Sequence, residues 1–127
     1  MESARLLKVL GFGARFWNIW RAEHPDVPIV LDGAKLDGMI LTGINFSRAS
    51  LQGASMHATN LMNADLRGAD LRDATLVEAD LIGANLEGAH LDGAKCHHAD
   101  FRGACLTNAS FSPADLEGAL NVSVEVK

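Results

Sequence analysis

Residues 64–88 read ADLRG ADLRD ATLVE ADLIG ANLEG, five consecutive units that keep the same order of residue types. Each unit begins with Ala, continues with a small polar residue and has Leu at its centre, and three of the five end in Gly. The pattern extends in both directions. Large apolar centres recur every five positions from Leu31 to Leu116, with Cys96 the smallest of them.

A period of five suits neither regular element of secondary structure. Apolar residues recur every 3.6 positions on one face of a helix and every second position in a half-buried strand. The chain must therefore turn a corner every five residues and carry Leu and Ala inward each time. The frequent Gly and Asn provide the backbone freedom that such corners need.

The motif Ala-(Asp/Asn)-Leu-x-Gly, as in residues 64–68 and 84–88, resembles that of the pentapeptide-repeat family and covers residues 29–118. The resemblance implies an all-β solenoid, a right-handed four-sided parallel β-helix with four units per coil and about 4.5 coils. The segment Trp17-Asn18-Ile19-Trp20-Arg21 is also similar to the start of many cyanobacterial members.

Three regions follow from this pattern: a helical cap and linker over residues 1–28, the repeat over 29–118 and a tail over 119–127. Residues 2–24 are predicted to form one helix, or two short helices broken near Gly11 and Gly13. The helical cap comprises four aromatic residues. Phe12, Phe16 and Trp20 have the i, i+4, i+8 spacing of a helix face, and Trp17 lies alongside. We expect this aromatic face to cover the end of the Leu ladder.

The alternative interpretation of this segment is contact with a membrane surface. Basic residues flank its Trp and Phe side chains, as in interfacial helices; these residues are Arg5, Lys8, Arg15 and Arg21. Because an uncovered solenoid end needs a cap in any case, capping is the favoured interpretation and a membrane partner is not expected.

A few positions depart from the pattern. Met39, Ile44 and Thr59 replace Ala, which predicts a slight distortion of the early coils, and Cys96 replaces a central Leu. In the tail, residues 122–127 alternate apolar and polar residues, as a strand does. Such a strand would close the last coil or pair with a second copy to form a homodimer.

Residues twenty apart should share a face of a four-sided coil. On this basis Ile40, Met62 and Ile82 are outward apolar residues of one face, and Val77 is an outward apolar residue of the neighbouring face. These four residues form the candidate partner face. A second face, the acidic face, carries four carboxylates with only Arg72 against them: Asp32, Asp70, Asp73 and Asp92.

The sequence predicts no catalytic, cofactor or metal site. His57 and His97 occupy equivalent positions two coils apart, about 10 Å at the spacing of neighbouring strands, which is too far to share a metal ion. Cys96 should point inward and Cys105 lacks a neighbouring cation that would activate it. The chain has no nucleophile and base at a recognisable spacing, and its glycines belong to the repeat. We therefore expect a protein that is not an enzyme.

Composition limits the choice of partner. The net charge of −5 argues against direct nucleic-acid binding. Two cysteines, no signal-peptide pattern and no long apolar run predict a cytoplasmic protein, and the resemblance to cyanobacterial members implies a bacterial one. The first functional hypothesis is a protein-interaction or scaffold module. The second comes from the family resemblance: some members mimic a DNA duplex and bind type II topoisomerases. Membrane docking through the N-terminal helix is the third.

Overall fold

The computed structural model describes residues 2–123. Helix α1 spans Glu2–Leu10 and helix α2 spans Ala14–Glu23. The break between them falls at Gly11–Gly13, and Gly13 has a φ of 102°, which residues with a side chain rarely adopt. The prediction of two short helices is therefore confirmed over that of one continuous helix. Within residues 2–123, no helix has the length and hydropathy needed to cross a membrane.

The rest of the chain forms a ladder in which residues twenty apart are bridged in parallel. Val30 pairs with Ser50, Ser50 with Asp70, and the same register continues to the bridge of Asp100 with Leu120. The bridges are isolated single residues, so each five-residue unit supplies one short side of a coil rather than an extended strand. Four units separate bridged residues, and each coil therefore has four sides.

A two-residue turn joins each side to the next. In the first turn, Ala34 N–H donates to the Leu31 carbonyl at 3.0 Å, and the second turn residue, Gly33, has a φ of 69°. The same position is occupied by Ala58 with a φ of 56° and by Glu78 with a φ of 61°. Left-handed backbone costs a residue with a side chain about 1–2 kcal/mol. The ladder thus imposes the turn geometry even where the sequence does not favour it.

The core is a column of the central Leu residues together with the Ala residues that precede them. Leu36, Leu51 and Leu71 are fully buried, and Cys96 takes its place in the column with 2% of its surface exposed. Leu6 and Leu10 of α1 and Trp17 of α2 belong to the same buried cluster. The two helices therefore share one hydrophobic core with the repeat.

The predicted slight distortion of the early coils is confined to the turns, where the Met39 and Thr59 N–H groups donate at 3.2 Å and 3.3 Å, against 2.9–3.1 Å where Ala occupies this position. Ile44 and Thr59 are fully buried in place of Ala, and their carbonyls accept the usual ladder bonds from Asp65 N at 2.9 Å and Asp80 N at 3.0 Å. The Thr59 hydroxyl donates to the Leu36 carbonyl at 2.8 Å, which satisfies this buried polar group. The coil thus accommodates a larger residue at the small position without losing its register.

The C-terminal end departs from the regular coil. Pro113–Leu116 forms a 3-10 helix, at whose start Ser112 and Asp115 make a reciprocal capping box. The ladder nevertheless reaches Leu120, two residues beyond the predicted end of the repeat at 118. Residues 124–127, on which the predicted tail strand and homodimer contact mainly depend, lie outside the described residues.

Candidate functional site

Helix α2 covers one side of the first coil, residues 45–47. Trp17 Nε1 donates to the Asn45 carbonyl at 2.8 Å, and Arg21 donates to the same carbonyl at 2.9 Å. The Asn18 side-chain oxygen accepts from Asn45 N at 2.7 Å. At the equivalent position one coil later, Asp65 N donates to the Ile44 carbonyl and the Asp65 carbonyl accepts from Phe46 N, both in the preceding coil. The side chains of α2 therefore take the place of a preceding coil on this side.

The electrostatics of this contact centre on Arg21, which is half-buried. Burial lowers the pKa of its guanidinium and the nearby Arg48 acts in the same direction, while Asp65 opposes both. An arginine remains charged at neutral pH under such a shift, because its ordinary pKa is above 12. Arg21 thus brings a positive charge against the backbone carbonyls of the first coil.

The other three sides of the first coil are open. Among the described residues, the N–H groups of Val30, Lys35 and Ile40 have no hydrogen-bond partner, whereas the equivalent N–H of Ser50 one coil later donates to the Ile29 carbonyl at 2.8 Å. Unpaired backbone at the edge of a sheet is where another chain can add. This open edge, formed by the bridge positions of Val30, Lys35 and Ile40, is thus a candidate contact surface.

The candidate partner face is smaller than predicted. Ile40 is 75% exposed, but Met62 and Ile82 are half-buried, because side chains stacked at the coil spacing cover one another. Val77 is also half-buried and lies one corner earlier, in the row of His57. The apolar surface therefore consists of Ile40 at the open edge with Met62 and Ile82 beside it, and Val77 is not part of it.

The four residues of the acidic face lie on one side of the column, but their carboxylates are largely engaged. Asp70 makes a two-point contact with Arg72, at 2.9 Å to Nε and 2.7 Å to Nη2. Asp32 accepts from Gln52 N at 3.0 Å, and Asp92 accepts from the Ser110 hydroxyl at 2.6 Å. The acidic face is thus partly neutralised and tied to its own backbone.

The hydrogen bonds between Asp70 and Arg72 shift the pKa values of both side chains. The hydrogen bonds from Arg72 hold the pKa of Asp70 below its ordinary value, against the opposing effect of burial. The bond to Asp70 in turn raises the pKa of Arg72, and Asp92 and Asp73 add to that effect. Asp70 is therefore an ionised partner of Arg72 rather than a proton donor or acceptor for a reaction.

The prediction that all four aromatic residues of the cap face the core is wrong for two of them. Trp17 is fully buried and meets Phe46 edge-on at 5.4 Å between ring centroids. Phe12 is 72% exposed and Phe16 is 46% exposed. Phe12 lies in the break between the helices, so its spacing from Phe16 does not define a helix face. The residues that fill the inward face of α1 are Leu6 and Leu10, whose i, i+4 spacing is the signal that sequence reasoning missed.

The histidines and cysteines form no reactive site among residues 2–123, and no group of three metal-binding side chains occurs there. His97 and His98 stack on each other at 4.1 Å, and His57 lies 3.8 Å from Glu78. Burial raises the pKa of the Cys96 thiol to about 12, which keeps it protonated and unreactive at neutral pH. Both cysteines are free.

A shallow groove borders the side that α2 covers. It is lined by Ser47, Arg48, Arg67 and Gly68. Arg67 is held by Asp65 through contacts of 2.9 Å and 2.7 Å. The groove therefore offers mainly the Arg48 guanidinium to a ligand, which is too little to define an anion site.

Comparison with solved structures shows which proteins this chain is similar to. A pentapeptide repeat protein from the Arabidopsis thaliana thylakoid lumen shares 30% identity over 67% of this chain, with a TM-score of 0.51, and the match spans 59% of that protein. A pentapeptide repeat protein from Nostoc Pcc 7120 shares 29% identity over 92% of this chain and 93% of its own length, with a TM-score of 0.48. QnrB1, a plasmid-mediated fluoroquinolone resistance protein, shares 21% identity over 68% of this chain and 51% of its own, with a TM-score of 0.42.

Comparison with curated protein sequences gives no match. The sequence profile of the pentapeptide repeats matches residues 30–68 and 69–108, in eight copies and over more than half of the chain. Together with the solved pentapeptide repeat proteins, this match implies a right-handed β-helix solenoid, as the motif predicted. The chain belongs to the pentapeptide-repeat family.

Proposed function

We propose that this protein is a non-enzymatic protein-interaction or scaffold module: a column of about 4.5 coils, covered at its N-terminal end by α1 and α2. The observation that carries the proposal is Ile40, an apolar residue that is 75% exposed at the open edge of the first coil. Met62 and Ile82 extend the apolar surface beside it. Extended peptides recognise such edges through backbone hydrogen bonds and side-chain pockets.

The rigidity of the column supports a binding role. Every coil is held to the next by ladder bonds of 2.7–3.1 Å in Leu31–Ser50, Asp73–Asp92 and their equivalents, so the sides keep their shape when a partner approaches. A preformed surface avoids the entropy cost of ordering on binding. The engaged carboxylates, exemplified by Asp70 with Arg72, argue against a catalytic acid or base on the acidic face.

DNA mimicry with binding to a type II topoisomerase is the alternative. The repeat carries twelve acidic and six basic residues, a net of −6. About 4.5 coils at a spacing of about 4.8 Å make a column roughly 20 Å tall. B-DNA carries about twelve negative charges over that length. Arg72 further reduces the field of the acidic face by pairing with Asp70. The alternative rests on this charge pattern, which is about half as dense as that of a duplex.

The second alternative, membrane-surface docking, involves the helical end rather than the column.

We also propose a cytoplasmic location, which the two free cysteines favour because unpaired thiols persist in a reducing compartment. A homodimer through the tail is a further proposal. Sedimentation velocity of the full chain and of a chain ending at Leu120 tests it, and equal sedimentation coefficients, apart from the lost mass, would exclude the tail contact.

Affinity capture tests the main proposal. The immobilised protein is exposed to lysate of its source cells, beside a Met62→Asp/Ile82→Asp variant. A Val77→Asp variant is the matched control, because Val77 is also half-buried at a corner but lies one corner away. We expect a saturable partner that the control retains and the double variant loses.

Capture of a topoisomerase by all three proteins would instead favour the DNA-mimic alternative. Equal, unsaturable retention of proteins by all three would contradict both proposals. Thermal unfolding of each variant shows beforehand that the substitutions leave the column folded.

A further inference from the structure

The outward side of the helical end carries an apolar cluster that the core does not use. Phe12 is 72% exposed, Ile19 is 55% exposed and Phe16 is 46% exposed. The rings of Phe12 and Phe16 lie 4.9 Å apart, so the two aromatic residues form one surface. Within residues 2–123 these are among the most exposed large apolar side chains. An exposed cluster of this kind marks a contact surface more often than an isolated apolar residue does.

The charge of the helical end is opposite to that of the column. Residues 2–24 contain four basic side chains and two acidic ones, a net of +2, whereas the repeat has a net of −6. Arg21 faces the first coil, but Lys8 and Arg15 are exposed on the same pair of helices as the apolar cluster. Glu2 pairs with Arg5 at 3.7 Å. The exposed charges that remain beside Phe12, Phe16 and Ile19 are the two positive ones of Lys8 and Arg15 and the negative one of Glu23, a net of +1.

We propose that this helical end docks on an anionic membrane surface, with Phe12, Phe16 and Ile19 entering the interface and Lys8 and Arg15 contacting lipid phosphates. Short helices that combine Phe with basic residues bind at the depth of the headgroups without crossing the bilayer. Helices α1 and α2, of nine and ten residues, are too short to cross a bilayer, which takes about twenty residues.

Charge also sets the orientation. An anionic surface attracts the helical end and repels the acidic column, and both effects act within about 8 Å at physiological ionic strength. The column therefore stands away from the membrane, with its sides free. This docking does not rest on the proposed protein interaction, because the partner face of Ile40, Met62 and Ile82 is a separate surface.

The apolar and the basic side chains of the helical end contribute to docking in different ways, and each group can be substituted without the other. The apolar contribution scales with the area that enters the interface, and the electrostatic one with the anionic lipid content and inversely with salt. Phe12 and Phe16 lie largely outside the core, so their replacement should leave the fold intact. Lys8 and Arg15 make no salt bridge among the described residues, so their replacement should also leave the fold intact.

Flotation with lipid vesicles tests the proposal. The full chain should float with vesicles of phosphatidylglycerol and phosphatidylcholine at low salt, and not with vesicles of phosphatidylcholine alone. A Phe12→Ser/Phe16→Ser variant should bind at least about tenfold more weakly. A Lys8→Glu/Arg15→Glu variant should lose the preference for the anionic vesicles. Ile40→Ser, an equally exposed apolar residue outside the cluster, is the control and should bind as the unaltered chain does.

Unfolding midpoints of the variants establish that each is folded before it is compared. Failure of the unaltered chain to float with the anionic vesicles at low salt would overturn the proposal. Undiminished binding by the folded Phe12→Ser/Phe16→Ser variant would overturn it as well. Neither result bears on affinity capture, in which the Phe variant is expected to retain any partner of the column.

Discussion

The first coil has one side that a helix covers and three sides that nothing covers among the described residues. On residues 45–47, Trp17, Asn18 and Arg21 supply the hydrogen bonds that a preceding coil would make. At Val30, Lys35 and Ile40 the corresponding N–H groups have no partner. The covered side and the three open sides belong to the same coil and have the same register and spacing.

The difference shows that the core at the end of the solenoid can be covered without hydrogen-bonding the whole backbone edge. The core is closed by the apolar side chains Leu6, Leu10 and Trp17, which are all buried. The backbone edge of the first coil is hydrogen-bonded by α2 on one side only, since water can hydrate the N–H and C=O groups of the other three sides. A solenoid end that is closed at its centre thus keeps most of its edge available for another chain.

The largest expected effect is the loss of Trp17. A Trp17→Ala variant should lose about 3–5 kcal/mol in free energy of unfolding, because it opens a cavity beside Phe46 and removes one of the two hydrogen bonds to the Asn45 carbonyl. Urea unfolding measures the change. The control is Phe16→Ala, the adjacent aromatic residue, which is about half exposed and should cost less than about 1 kcal/mol. Equal costs for the two variants would mean that α2 does not close the core.

Removing the polar contact on the covered side should have a smaller effect. Asn18→Ala deletes the acceptor of Asn45 N and should lower the free energy of unfolding by about 1–2 kcal/mol. Ile19→Ala, at the next and largely exposed position of α2, controls for changes in helix propensity. A cost for Asn18→Ala no greater than that of its control would show that water replaces the side chain as a partner on this side too.

The open sides should respond to acid in a way that the contacts of α2 do not. The Ser55 hydroxyl and the His57 N–H hold the pKa of Asp37 below its ordinary value. The folded pKa is thus lower than the unfolded one, so the contribution of Asp37 is present above about pH 4 and is lost as pH falls through its folded pKa.

An Asp37→Asn variant isolates this contribution. Its stability deficit relative to the unaltered chain should be present at neutral pH and shrink as the pH is lowered below about 4, when Asp37 also becomes neutral. Unfolding midpoints of both proteins between neutral and acidic pH measure the deficit. A deficit that stays constant over this range would contradict the assignment of the hydrogen bonds from Ser55 and His57.

The smallest effect is expected at Ile40. Ile40→Thr should change the free energy of unfolding by no more than about 0.5 kcal/mol, because the side chain is 75% exposed. The same change at Ile44, which is fully buried four residues later, should cost at least about 1 kcal/mol by placing a hydroxyl in the core. A large cost at Ile40 in the urea titration would show that the open edge is covered after all.

Much of the column was predictable because the period of the sequence is the period of the structure. The five-residue spacing of Leu61, Leu66 and Leu71 already requires a corner per unit, and the bridges join residues twenty apart as the four-unit coil predicts. Substitutions such as Thr59 were predicted to distort the coil slightly, and the turn hydrogen bond is longer there, at 3.3 Å, but the ladder bond to Asp80 is kept. Backbone pairing between coils is independent of side-chain size, and it is this pairing that maintains the register.

The ends were harder to predict because they lack a period. Phe12 and Phe16 have helical spacing, but the break at Gly13 places them on the outside. The role of Asn18 as a partner for Asn45 depends on how α2 crosses the first coil, which no local pattern records. The candidate partner face was overestimated for a related reason: stacking reduces the exposure of Met62 and Ile82, and only the edge position of Ile40 escapes it.

Amide hydrogen exchange, resolved by residue, tests most directly the claim that α2 replaces a coil on one side only. We expect the N–H of Asn45 to exchange slowly, and those of Val30, Lys35 and Ile40 to exchange near the rate of solvent-exposed amides. Fast exchange at Asn45, or protection at Val30, Lys35 and Ile40 equal to that of Asn45, would contradict the division of the first coil into a covered side and an open edge.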